Sequence, residues 1–117
     1  MYICIMYSSE LLKGSLKTIV MQQLKEHGKM YGYEITQRVK ELSKEKILIT
    51  EGALYPALHA LEAEGYLTTE TEFIGKRVRK YYSLTPSGQT KVLEKINEFA
   101  EFMSTMKLIL QLQPNTN

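Results

Sequence analysis

The sequence predicts a mainly helical α+β fold in which three helices precede a β-hairpin and one long helix closes the chain. Three observations predict it. Apolar residues recur at steps of three and four in separate stretches before residue 65. Residues 66–84 then turn to β-branched and aromatic types around a central glycine. After Thr85-Pro86 an apolar repeat of about 3.5 residues runs to Leu110.

The first helix is expected over residues 9–27, where Leu12, Leu16, Ile19, Val20 and Leu24 form one stripe and Gly28 supplies a left-handed stop. Residues 28–32 make the turn to a short second helix, whose stripe is Ile35, Val39 and Leu42. A polar stretch leads to a brief extended segment, ILI at 47–49. Thr50 then caps a third helix, which buries Leu54, Leu58 and Leu61 and ends at Gly65.

The hairpin is expected to pair residues 66–72 with 78–84 through the link FIGKR. Thr85-Pro86 is a helix start, with proline where its missing donor costs nothing. The last helix carries Val92, Ile96, Phe99, Met103, Met106 and Leu110 along one seam. Three helices and a charged hairpin in this order describe a winged helix-turn-helix. The expected organisation is an N-terminal extension at 1–8, a winged domain at 9–85, a dimerisation helix at 86–112 and a tail at 113–117.

Composition narrows the function classes. A chain of 117 residues with 44% hydrophobic and 24% charged residues fits one folded domain. The one cysteine, Cys4, cannot form an internal disulfide, and with His27 and His59 it makes no metal-ligand spacing. The opening MYICIMY is too short to span a membrane and lacks the form of a secretion leader, so the cytoplasm is the expected compartment. No phosphate loop, activated nucleophile or paired carboxylates stand out, so neither catalysis nor a cofactor is expected.

Charge placement points to a partner. The net charge is +2, and FIGKRVRKYY at 73–82 holds four cations, Lys76, Arg77, Arg79 and Lys80, with no acid. On a hairpin tip beside a groove-sized helix this suits phosphate or minor-groove contact, although a solvated hairpin without a partner has the same pattern.

Pro56 is the other anomaly, because it interrupts an otherwise regular apolar helix. If the start of that helix docks on DNA, Glu51, Gly52, Tyr55, Pro56 and His59 project outward, Gly52 with Ala53 leaves the backbone accessible, Thr50 joins the expected contacts, and the proline shapes the docking end. The plainer alternative is a kinked core helix with a surface tyrosine. Glu51 suits the helix dipole but repels a phosphate.

The terminal seam favours a second helix as partner, since burying each of its residues is worth roughly 1.5 to 3 kcal/mol. Phe102 and Ile109 lie on a second line, so the helix can also touch a first helix. A homodimer would set two recognition helices roughly 34 Å apart, one DNA turn.

Four segments, LLKGSLKTIVMQQL, MYGYEITQRV, TEGALYPALHALEAEGYL and RVRKYYSLTPSGQ, together resemble the PadR family of winged-helix transcriptional regulators, in order and spacing. The likeness covers residues 9–93. The resemblance implies a homodimeric repressor that leaves a palindromic double-stranded DNA operator when a small aromatic or drug-like effector occupies the dimer. It implies DNA contact at Tyr31, Gly32 and Tyr33, and at Gly52, Ala53, Tyr55 and Pro56. It also implies a dimer interface between the last helix and the first, with Leu11 and Leu12 on the latter.

Some relatives hold planar drugs between tryptophans, and this chain has none. Phe99, Phe102, Met103 and Met106 are then either a soft effector pocket or, the preferred reading, interface packing. A protein-interaction module without specific DNA binding is the competing function.

Overall fold

The computed structural model describes residues 7–112. Most of the N-terminal extension, with Cys4, and the tail at 113–117 lie outside the described residues. The elements are α1 (Ser9–Lys13), α2 (Leu16–His27), β1 (Met30–Tyr31), α3 (Gly32–Leu42), α4 (Glu51–Ala63), β2 (Leu67–Ile74), β3 (Arg77–Leu84) and α5 (Pro86–Leu110). Helices pack on one antiparallel sheet of order β1-β3-β2, the winged helix-turn-helix that the order of elements predicts.

The apolar spacings become a core. Val20, Met21 and Leu24 of α2, Ile35 of α3, Leu54, Leu58 and Leu61 of α4, Leu67 of β2, Tyr82 of β3 and Val92 of α5 are buried together. Burial first, then the nearby Tyr55 and Glu62, raise the Tyr82 hydroxyl above the ordinary tyrosine pKa.

The expected first helix is two helices. Ser15 explains the break: its amide and its Oγ both donate to the Leu12 carbonyl, at 3.1 Å and 3.2 Å. That closes a three-residue turn, and the preceding Gly14 does little to hold the helix straight. Leu42 is exposed, so the α3 stripe ends at Val39. The expected extended segment at 47–49 pairs with no strand; Ser43 Oγ instead accepts from the Ile47 amide at 2.9 Å, and Lys44 and Glu45 turn the chain through positive φ.

The sheet also departs in detail. The hairpin is longer than expected, because pairing continues to Ile74↔Arg77 and leaves Gly75-Lys76 as a two-residue connection. Gly75 takes φ +62°, the sense of rotation that tight hairpins require. A short strand, β1, joins β3 through Met30↔Tyr82 and Tyr31↔Tyr81. Two residues carry no periodicity, so no sequence signal announced it.

Thr85 fastens α5 to the wing. Its Oγ1 accepts from the Gly88 amide at 3.0 Å and donates to the Gly65 carbonyl at 2.7 Å, while Ser87 donates to the same carbonyl at 3.0 Å. Buried Gly88 lets the first turn of α5 lie against the Tyr66 backbone, because a Cβ there would meet the Tyr66 carbonyl oxygen at 2.2 Å. The direction of α5 is thereby set by the domain.

Candidate nucleic-acid interface

The starts of α3 and α4 meet at one close approach. Gly32 is buried beneath Tyr55, and a Cβ at Gly32 would stand 2.5 Å from the Tyr55 Oη and 3.3 Å from the Leu54 Cδ2. Gly32 is therefore a spacer between helices, and its burial leaves little surface for the DNA contact that the resemblance implies there. Tyr55 is itself half-buried against the core, with its ring 6.4 Å from that of His59.

The start of α3 presents tyrosines. Glu34 holds it by accepting from the Tyr31 amide at 3.1 Å. Tyr33 is 63% exposed, and its ring lies near-parallel to that of Tyr31 at 6.5 Å. The Arg79 guanidinium sits 4.3 Å over the other partner in this row, the Tyr31 ring, and Tyr81 meets Tyr31 edge-on at 5.5 Å. A continuous aromatic and cationic strip thus joins α3 to the wing.

On α4, Thr50 caps by accepting from the Ala53 amide at 3.2 Å. Glu51, Gly52, Ala53, Pro56 and His59 are exposed, and the core side is sealed by Leu54, Leu58 and Leu61. Pro56 lies within the helix and leaves the Gly52 carbonyl without its usual amide partner. Ala53 and Pro56 also border a groove of about 680 Å³ whose other walls include Leu12, Leu16 and Ile49, with Lys95 at its edge.

Pro56→Ala should restore the missing donor and stabilise the fold by about 1 kcal/mol, read as a higher urea midpoint. If the proline shapes a docking end, the same variant should bind its specific duplex more weakly than the parent.

The wing is less uniformly cationic than FIGKRVRKYY suggests. Glu70 and Glu72 on β2 both engage Lys29, at 2.9 Å and 2.5 Å, and the two carboxylates, Glu72 first, push the lysine pKa up. Lys29 went unmarked in the sequence, although two acids at alternate strand positions signal a shared face that needs a cation. Lys80 stands 3.9 Å from Glu62 and over the Tyr82 ring. Among the described residues, Lys76 and Arg77 make no ion pair and stand at the tip.

The terminal seam divides. Val92 is fully buried in its own domain and offers no free surface to a partner, which corrects its expected role, whereas Ile96 packs on the same core and is half-buried. Beyond them α5 leaves the domain. Phe99 and Met106 are half-buried, whereas Phe102, Met103, Leu108, Ile109 and Leu110 are exposed, Leu108 at 81%. Leu11 on α1 is 68% exposed and Leu12 half-buried. The Phe99 and Phe102 rings meet at 6.4 Å, but the groove beside α4 includes none of Phe99, Phe102, Met103 and Met106.

Among the described residues, no cluster of His, Cys, Asp and Glu is placed to hold a metal ion, and no helix is long and apolar enough to cross a membrane.

Comparison with known proteins agrees with the winged-helix fold. Residues 20–94 match the model of the transcriptional regulator PadR-like family. A transcriptional regulator from Clostridium thermocellum is similar in structure, with TM-score 0.76 and 31% identity over 92% of this chain and 99% of that one. A PadR family transcriptional regulator from Eggerthella lenta gives TM-score 0.74 and 30% identity over 89% and 88%. The transcriptional regulator Rv3488 of Mycobacterium tuberculosis is 38% identical over 65 residues, which span 56% of this chain and 58% of the mycobacterial protein.

Proposed function

The chain belongs to the PadR-like family of transcriptional regulators, and from that premise we propose that it is a cytoplasmic, homodimeric repressor that binds a palindromic operator and leaves it when a small apolar effector binds. In this reading residues 9–85 hold the DNA and residues 86–112 hold the partner. The protein acts by binding rather than by catalysis.

One observation carries the reading: the sealed core side of α4 leaves its first turns exposed, and the hairpin that follows ends in the unpaired Lys76 and Arg77. Tyr33, Tyr55, Pro56 and His59 then face the bases and groove walls, and the wing tip meets phosphates or the minor groove. Thr50, Gly52 and Ala53 allow close backbone approach. Tyr31, Arg79 and Lys80 support the surface as well as adding charge.

The exposed row on α5 supports the dimer, because so many large apolar side chains on one helix are costly in water. Phe99, Phe102, Met103, Met106 and Leu110, with Leu11 and Leu12 of the other protomer, form the proposed interface. The groove beside α4 supports the effector step, since a body seated there touches Ala53 and Pro56 of the DNA-facing helix.

Sedimentation combined with duplex titration at two salt concentrations tests the proposal. The expected result is a dimer whose duplex affinity falls steeply with salt. A monomer, or salt-insensitive association with a protein partner and none with DNA, refutes it in favour of an interaction module, which the exposed Glu51 would suit.

A further inference from the structure

The wing tip carries a surface that charge alone does not explain. Phe73 is 78% exposed and Val78 60% exposed, and the two stand directly opposite each other across the hairpin. Ile74 beside them is exposed as well. Alternation along the strands puts Phe73 and Val78 on the face that bears buried Leu67 and Tyr82, the face that packs on α4 through Glu62. Beyond Lys80, among the described residues, that face is left open at Phe73 and Val78.

A phenylalanine left in water at the end of a rigid two-stranded arm is unfavourable unless something buries it. The adjoining Lys76 and Arg77 are unpaired cations, so the occupant that complements the tip combines negative charge with an apolar slot. A duplex provides both: phosphates line the minor groove, and a base step opened on that side presents apolar faces.

We propose that Phe73, backed by Val78, is an apolar wedge that enters the minor groove at a base step and bends the operator. The proposal rests on the DNA-binding reading above. Lys76 and Arg77 neutralise the phosphates on either side, while the cross-strand pair holds the ring in place before binding. Unstacking costs a few kcal/mol per step, which the wrapped contacts offset, and bends of about 20 to 90° accompany such wedges. Flexible pyrimidine–purine steps open most easily, so the wedge also reads sequence through deformability.

The test uses the full chain and a duplex that it has selected from a random pool, labelled at both ends for energy transfer. The parent protein should shorten the end-to-end distance. Phe73→Ala should leave the duplex near straight and bind about tenfold more weakly, with an unchanged salt slope, because no phosphate contact is lost. Phe73→Leu should retain most of the bend.

Parent binding without bending, or equal bending by Phe73→Ala, overturns the wedge and leaves DNA binding standing. A loss of dimer on Phe73→Ala would instead assign the tip to an interface between copies and also overturn it. If the parent binds no duplex at all, wedge and DNA-binding reading fall together.

Discussion

Gly88→Ala is expected to destabilise the protein by about 2 kcal/mol, one of the largest effects of any single methyl added to this fold. The added carbon would lie 2.2 Å from the Tyr66 carbonyl oxygen and 3.2 Å from the Leu84 Cδ2. A flexible side chain can swing away from such an intrusion, but a backbone carbonyl cannot. The Thr85 and Ser87 bonds to the Gly65 carbonyl hold the same corner, so relief requires α5 to lift from the sheet. Alanine's better helix propensity, worth about 1 kcal/mol, offsets part of the cost.

Urea unfolding measures the change, and Gly52→Ala supplies the contrast. A Cβ at Gly52 meets only Thr50 Oγ1, at 3.9 Å, so that variant should be neutral or slightly more stable. Because α5 carries the proposed interface, Gly88→Ala should also weaken the dimer. A Gly88→Ala protein as stable as the parent would show that the helix is not clamped at this corner.

Replacing Lys76 and Arg77 together by alanine should weaken binding to every duplex by about ten- to a hundredfold. Both side chains are exposed and free of ion pairs among the described residues, so the fold should not suffer. If each neutralises one phosphate, the slope of log affinity against log salt should fall by roughly two. Specific and random duplexes should lose equally, since phosphates carry no sequence information. An unchanged slope would mean that the wing does not meet the backbone.

The pair differs from the set that charge counting suggests. Arg79→Ala would remove the cation over the Tyr31 ring and disturb the strip that joins α3 to the wing, so its effects would mix structure with binding. Tyr55→Ala is mixed in the same way, because that ring fills the space that Gly32 leaves.

These particulars show what was legible in the sequence. Helices α3, α4 and α5 follow from spacing and from caps such as Thr50 and Thr85, because both are local properties. The break at Ser15 depends on one side chain choosing a backbone acceptor, and β1 forms only because β3 lies alongside; neither leaves a periodic trace. The candidate interface was legible as types and not as arrangement. Pro56 and the wing cations stood out, whereas the burial of Gly32, the engagement of Glu70 and Glu72 by Lys29 and the burial of Val92 depend on contacts across more than forty residues or between separate elements. The exposed Phe73 could not be told from a core residue, since alternation alone does not say where the covering layer ends.

Selection of bound fragments from a random duplex pool tests the central claim most directly, that two copies present paired α4 helices and wings to one side of DNA. The predicted result is enrichment of two inverted half-sites with centres about one helical turn, roughly 10 base pairs, apart. Recovery of no preferred sequence, or of a single asymmetric site without a repeated half, would contradict it.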